Sequence, residues 1–146
     1  MTVTEMTPDA VCLVADLEKL CFSDPWSEKS IASEPENELS CWLVAMEGER
    51  LAGYVGSQTV LGETDMMNLA VHPDFRRRGV GETLVLSLAE ILKARGSRCL
   101  TLEVRESNVP ARKLYEKLGF SQIGKRPNYY RNPRENALIL RKEWEI

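Results

Sequence analysis

Three arginines and two glycines crowd the hexapeptide Arg76-Arg77-Arg78-Gly79-Val80-Gly81, the stretch of this chain best suited to chemistry. It follows a strand-like apolar run, Met66-Met67-Asn68-Leu69-Ala70-Val71, and precedes a helix-like run opening at Glu82. At a helix start several backbone N–H groups lack partners and the peptide dipoles leave partial positive charge, so a phosphate can take both. Gly79 and Gly81 let the main chain approach an anion with no Cβ in the way, and the arginines attract it from farther off. A phosphate-bearing ligand is the expectation. The competing reading is a solvated basic turn whose glycines serve geometry alone.

The commoner phosphate loops fit poorly. No Gly-x-x-x-x-Gly-Lys-Ser/Thr occurs, and Leu84 stands where a dinucleotide fingerprint wants its third glycine. Farther along, Glu103, Asn108 and Tyr115 follow in order and make a compact constellation with the turn and its helix. Each also has a plainer reading: Glu103 as a strand carboxylate paired with Arg105 or a neighbouring strand, Asn108 as a helix cap, Tyr115 as core packing. His72, the only histidine, precedes Pro73 and reads as a strand-end turn residue instead of a base.

These residues need elements to hold them. A short strand over Thr2 to Met6 and a helix over Asp9 to Cys21 come first, then a turn at Pro25-Trp26 and a second short helix capped by Ser27 with Glu28 in its first turn. Leu39 to Met46 and Leu51 to Val60 read as a hairpin, and Thr64 to Val71 as a further strand stopped at His72-Pro73. Leu84, Val85, Leu88, Ile91 and Leu92 share a helical face that ends at Gly96. Cys99 to Arg105 alternates, with Leu100, Leu102 and Val104 on one face and Thr101, Glu103 and Arg105 on the other. Pro110 opens a helix carrying Ala111, Leu114, Tyr115 and Leu118, and strands near Gln122 to Lys125 and Ala137 to Trp144 complete the set. The pattern is a mixed α/β fold in a single domain, 1–146.

With 146 residues, 43% of them hydrophobic, the chain supports one real core. A net charge of −3 argues against general nucleic-acid binding. No long apolar span or signal-peptide pattern is present, so no membrane association is expected and the cytoplasm is the expected location. Cys12, Cys21, Cys41 and Cys99 are widely spaced with no Cys-x-x-Cys; free, mostly buried thiols and no metal are expected.

Taken together, Arg76-x-x-Gly79-x-Gly81 and Asn108-x-x-Ala111-x-x-Leu114-Tyr115-x-x-x-Gly119-Phe120 resemble two ordered motifs of the GNAT family of N-acetyltransferases. Pro25-Trp26-Ser27-Glu28-Lys29, Asn68-Leu69-Ala70-Val71, Leu102-Glu103-Val104-Arg105 and Asn128-Tyr129-Tyr130 are similar to a bacterial branch that acetylates the amino-terminal alanine of ribosomal proteins. The resemblance implies a mixed, mostly antiparallel sheet flanked by about four helices. That sheet would splay open between the Thr64–Val71 strand and the Glu103 strand to admit acetyl-coenzyme A. It further implies that Leu69, Ala70 and Val71 meet the pantetheine and acetyl carbonyl, that Arg77, Arg78, Gly79, Val80, Gly81 and Glu82 wrap the pyrophosphate, and that Asn108 touches the coenzyme. Glu103 would be the general base and Tyr115 the general acid. The implied partner is the amino-terminal segment of a small-subunit ribosomal protein. The branch often carries Gly-Glu-Asp-Ala where this chain reads Arg134-Glu135-Asn136-Ala137, which bears on acceptor preference.

Acyl transfer needs a neutral amine, a polarised carbonyl and a donor for the departing thiolate, and a carboxylate with a phenol can supply the proton moves without a histidine. Asn128-Tyr129-Tyr130 could shape a slot for an extended peptide end or be ordinary loop aromatics. Two other functions remain open at this stage. One is acetylation of lysine or a small-molecule amine, and the other is a coenzyme A-binding sensor or interaction module without turnover.

Overall fold

A computed structural model describes residues 1–144. Its strands are β1 (Thr2–Glu5), β2 (Ser40–Glu47), β3 (Arg50–Val60), β4 (Glu63–Val71), β5 (Cys99–Arg105), β6 (Ser121–Tyr130) and β7 (Glu135–Glu143). Its helices are α1 (Val11–Cys21), α2 (Glu28–Ala32), α3 (Val80–Ala94) and α4 (Val109–Lys117). The strands form one sheet in the order β1-β2-β3-β4-β5-β7-β6. Every neighbouring pair is antiparallel except β4 and β5, which run parallel.

That parallel pair meets over three positions only, Glu63 with Cys99, Thr64 with Leu100 and Asp65 with Thr101. Beyond them β4 and β5 part, so the sheet opens at its centre as the resemblance implied. A bulge falls at the same point: Gly56 pairs with Asn68 and Ser57 with Met66, leaving Met67 with no partner on β3. An extra residue bends its strand and adds twist, which suits a strand leaving its neighbour.

Both faces of the sheet are covered. Leu84, Val85, Leu88 and Leu92 of α3 and Tyr115 of α4 pack with Leu100, Leu102 and Val104 on one face. Val11, Val14, Ala15 and Leu17 of α1 and Ile31 of α2 pack with Trp42, Tyr54 and Ala70 on the other. Gly53 decides how closely α3 can sit, because a Cβ there would lie 2.7 Å from Ala70 O and 3.1 Å from Val80 Cγ1. The first turn of α3 therefore rests directly on β3 and the end of β4.

Local chemistry accounts for most element ends. Ser27 Oγ accepts from Ser30 N, as expected for an N-cap. Gly96 and Gly119 take positive φ where α3 and α4 stop. Two expectations are revised. Helix α3 opens at Val80, two residues before Glu82, so Gly81 belongs to its first turn. Strand β6 continues past Lys125 to Tyr130 and takes in the tyrosine pair. Pro127 is tolerated because β6 is an edge strand and no ladder pairing is recorded between Arg126 and Tyr130.

The four thiols are free, but Cys12 is exposed and Cys21 half-buried, so only Cys41 and Cys99 match the expectation of burial. Among the described residues no helix is long and apolar enough to cross a membrane.

Candidate active site

The segment between β4 and α3 forms a cradle of donors. Arg77 and Gly79 both take left-handed backbone, φ +65° and +76°, and Gly79 is the N-cap of α3. The main-chain N–H groups of residues 77–82 have no protein acceptor among the described residues. Consecutive unpaired N–H groups at a helix start, with alternating handedness before it, make a concave anion site. A Cβ on Gly81 would lie 3.5 to 4.0 Å from Leu114, Val71 and Leu69, so this residue looks into the opening between β4 and α4. Arg78 stacks on Phe75, with its guanidinium carbon 5.4 Å from the ring centre, and stays close to the cradle. The Glu82 carboxylate pairs with Lys117 at 3.1 Å, which offsets its negative charge beside an anion site.

Main-chain groups of β4 lead from the cradle into the gap. His72 N–H donates to Ala52 O, so by strand alternation Ala70 also directs its backbone toward β3, where it is level with Tyr54. Leu69 and Val71 turn theirs toward the opening. Val71 O there accepts from Arg76 Nε at 3.4 Å.

Glu103 stands on the other wall, half-exposed on β5. Its Oε1 lies 3.4 Å from Arg126 Nε, and its Oε2 accepts from Tyr129 Oη at 3.3 Å. The expected pairing changes partner: Arg105 pairs with Glu135, and Glu103 pairs with Arg126 of β6, two strands away. Tyr115 is only 5% exposed, and its hydroxyl donates toward Met66 Sδ at 3.9 Å. Burial raises the Tyr115 phenol well above its ordinary pKa, with Tyr130 adding to the shift. Burial likewise pushes Tyr130 up to about 12, and Glu103 adds to it. Tyr130 thus feels the charge of Glu103 and acts on Tyr115, which ties the two candidate catalytic groups into one electrostatic neighbourhood.

Asn108 Oδ1 caps α4 through Ala111 N at 3.3 Å, the plainer of its two readings. His72 caps the turn at Pro73–Phe75, its Nδ1 accepting from Asp74 N at 3.1 Å. The departure at Arg134 to Ala137 serves the hairpin: Glu135 accepts from Ser107 N at 2.6 Å and pairs with Arg105, while Asn136 Oδ1 accepts from Asn128 N at 3.0 Å.

Glu18 and Arg126 were missed in the sequence. Glu18 is wholly buried, and its carboxylate accepts from Tyr54 Oη, from Asn68 Nδ2 at 2.6 Å and from Trp26 N at 2.8 Å. It joins the bulge in β4 to the segment between α1 and α2. Its position four residues after Val14, on the apolar face of α1, was the available cue. For Arg126 the sequence held none.

Known proteins resemble this chain in sequence and in fold. The profile of the acetyltransferase (GNAT) family matches residues 12–120. The [ribosomal protein bS18]-alanine N-acetyltransferase of Escherichia coli (strain K12) is 39% identical over 126 residues, covering 85% of this chain and 84% of that one. The crystal structure of the Escherichia coli ribosomal-protein-S18-alanine N-acetyltransferase superposes with a TM-score of 0.91 at 34% identity, covering 99% of this chain and 94% of that one. An aminoglycoside 6'-N-acetyltransferase complexed with coenzyme A shares the fold at a TM-score of 0.83 and 18% identity, covering 98% and 97%.

Proposed function

This chain belongs to the GNAT acetyltransferase family, and from that we propose that it acetylates the α-amine of a protein, its acceptor being the amino-terminal alanine of ribosomal protein bS18. The proposed setting is the cytoplasm, where ribosomal proteins are made. Acetyl-coenzyme A, the acetyl donor, supplies an activated thioester. The residues present fit its pyrophosphate: residues 77–82 offer unpaired N–H groups at the start of α3, with Arg77 and Arg78 beside them. That cradle at the mouth of a split sheet is the observation that carries the reading.

In this proposal Leu69 and Val71 orient the pantetheine arm through their backbone groups, with Ala70 fixing the strand between them, and Asn108 reaches the coenzyme with its free amide while capping α4. Glu103 takes the amine proton, directly or through water, once the amine competes with Arg126 for its carboxylate. Tyr115 gives its proton to the departing sulfur. Its burial keeps that hydroxyl protonated across the working range.

A peptide α-amine has a pKa of about 7.7 to 8.0, against about 10.4 for lysine, so roughly a tenth is already neutral near pH 7. One partly solvated carboxylate suits that acceptor. The test incubates the protein with acetyl-coenzyme A and peptides starting with Ala, Met or Gly, beside an internal-lysine peptide, and maps acetylation by mass spectrometry. Selective modification of the Ala-first α-amine is expected. A preference for lysine or a polyamine refutes the terminal-amine assignment, and no transfer to any amine refutes turnover.

A further inference from the structure

The turn between β3 and β4 is Leu61-Gly62, a two-residue hairpin loop in which both residues take left-handed backbone, φ +53° and +81°. Such turns favour asparagine followed by glycine, because most side chains crowd the backbone at positive φ. Leucine stands there instead, 90% exposed, and Val60 beside it is 54% exposed. Arg98 holds the turn in place: its N–H donates to Gly62 O at 2.8 Å, and its Nη2 donates to Leu61 O at 3.2 Å. A strained position that also gives a large apolar side chain to water points to a contact outside its own fold.

A cavity of about 200 Å³ opens next to this turn, past the C-terminal end of α3. Buried Cys41 and Leu92 make its floor, and exposed Leu39 stands at its rim. Three hydroxyls line it, and each already has a partner. Ser40 Oγ donates to the Glu34 carboxylate, and the Thr59 and Ser97 hydroxyls both bond Thr64 Oγ1 at 2.7 Å. Arg95, also in the lining, pairs with Glu5 at 2.7 Å. An apolar guest therefore leaves none of these groups stranded. Leu61 does not line the cavity of its own chain, although Ser97 Oγ, 3.5 Å from Gly62 O, joins cavity and turn.

We infer that this face is the interface of a twofold dimer of the chain, the Leu61 side chain of each copy entering the cavity of the other. A knob and a cavity that neighbour each other on one surface satisfy one another across a twofold axis, which closes the contact. The charges are self-complementary as well. Arg98 beside the turn and Glu38 at the cavity are both exposed, and neither pairs with an opposite charge among the described residues. The axis brings the Arg98 of each copy to the Glu38 of the other. One knob, one small cavity and one ion pair per copy make a small interface, so the dimer is weak and depends on concentration. The phosphate cradle lies at the other end of α3, about 20 Å away for a 15-residue helix, and stays open. The inference is thus independent of the acceptor.

Sedimentation equilibrium of the full chain, from micromolar to millimolar concentration, compares wild type with Leu61→Asn, Glu38→Arg and the double exchange Glu38→Arg with Arg98→Glu. Wild type should pass from monomer to dimer. Leu61→Asn should weaken association by roughly a hundredfold, since two leucines leave their cavities and each burial is worth at least about tenfold. Glu38→Arg should weaken it severalfold, and the double exchange should restore it. Asparagine tolerates left-handed backbone, so at a dilution where both are monomeric Leu61→Asn should unfold at or above the wild-type urea midpoint. A wild type that stays monomeric throughout overturns the inference, as does a Leu61→Asn variant that dimerises like wild type. A double exchange no better than Glu38→Arg overturns the twofold arrangement. A lower midpoint for monomeric Leu61→Asn overturns it too, because the leucine would then serve its own fold.

Discussion

Replacing Glu18 by alanine tests whether one buried carboxylate holds β3, the bulge of β4 and the segment before α2 together. The side chain has no exposure and receives three hydrogen bonds, from a phenol, a side-chain amide and a main-chain N–H. Removing it strands those donors, each at a cost of about 1–3 kcal/mol, with water entering the void to recover part. With three donors stranded and part of the cost recovered by water, the expected loss is about 3–5 kcal/mol. For a chain of this length that lowers Tm by roughly 6–20 °C. Glu18→Gln keeps the volume and one acceptor oxygen but presents N–H groups to a donor, for an expected loss of about 1–3 kcal/mol. Urea unfolding followed by fluorescence measures both, because Trp26 and Trp42 lie 5.5 Å apart beside the cluster. A loss below about 1 kcal/mol for Glu18→Ala, with a wild-type KM for peptide, would refute the clamp.

Tyr115→Phe should lower kcat by about 10²- to 10⁴-fold while coenzyme A affinity, read by calorimetry, stays near wild type; equal rates would remove Tyr115 as the proton donor. Gly81→Glu should weaken coenzyme binding at least tenfold, since its side chain points at Leu69, Val71 and Leu114 and carries negative charge to the phosphate donors; unchanged affinity would remove the phosphate-site argument. Alkaline stability follows from the phenols of Tyr54, Tyr115 and Tyr130, all raised chiefly by burial, so the folded state favours their protonated forms. Their contribution is complete below the unfolded value of about 10 and is lost as pH climbs from there toward the folded values, about 12 for Tyr130. Urea midpoints between pH 9 and 11.5 should fall for wild type and fall less for Tyr130→Phe; parallel curves would contradict it.

Local periodicity and turn chemistry were enough to read α3, the two faces of β5, the Ser27 cap and the glycine-bearing turn before Val80 from the sequence. Each of these depends on residues within a few positions of one another, where spacing fixes which side chains share a face. The resemblance carried by Arg76 to Gly81 and Asn108 to Phe120 identified the family, because those short segments must each present backbone donors or a phenol at a fixed place. Distant partners decided the rest. A bulge exists only relative to the strand beside it, so nothing in Met66-Met67-Asn68 foretold that Met67 would be the unpaired residue. The true length of β6 depends on being an edge strand next to β7, where Pro127 loses no ladder partner. Glu18 falls on the apolar face of α1 by spacing, but only Tyr54 and Asn68, 36 and 50 residues away, supply the donors that permit its burial. Spacing along the chain encodes which way a side chain faces, and only the packed sheet decides what it faces.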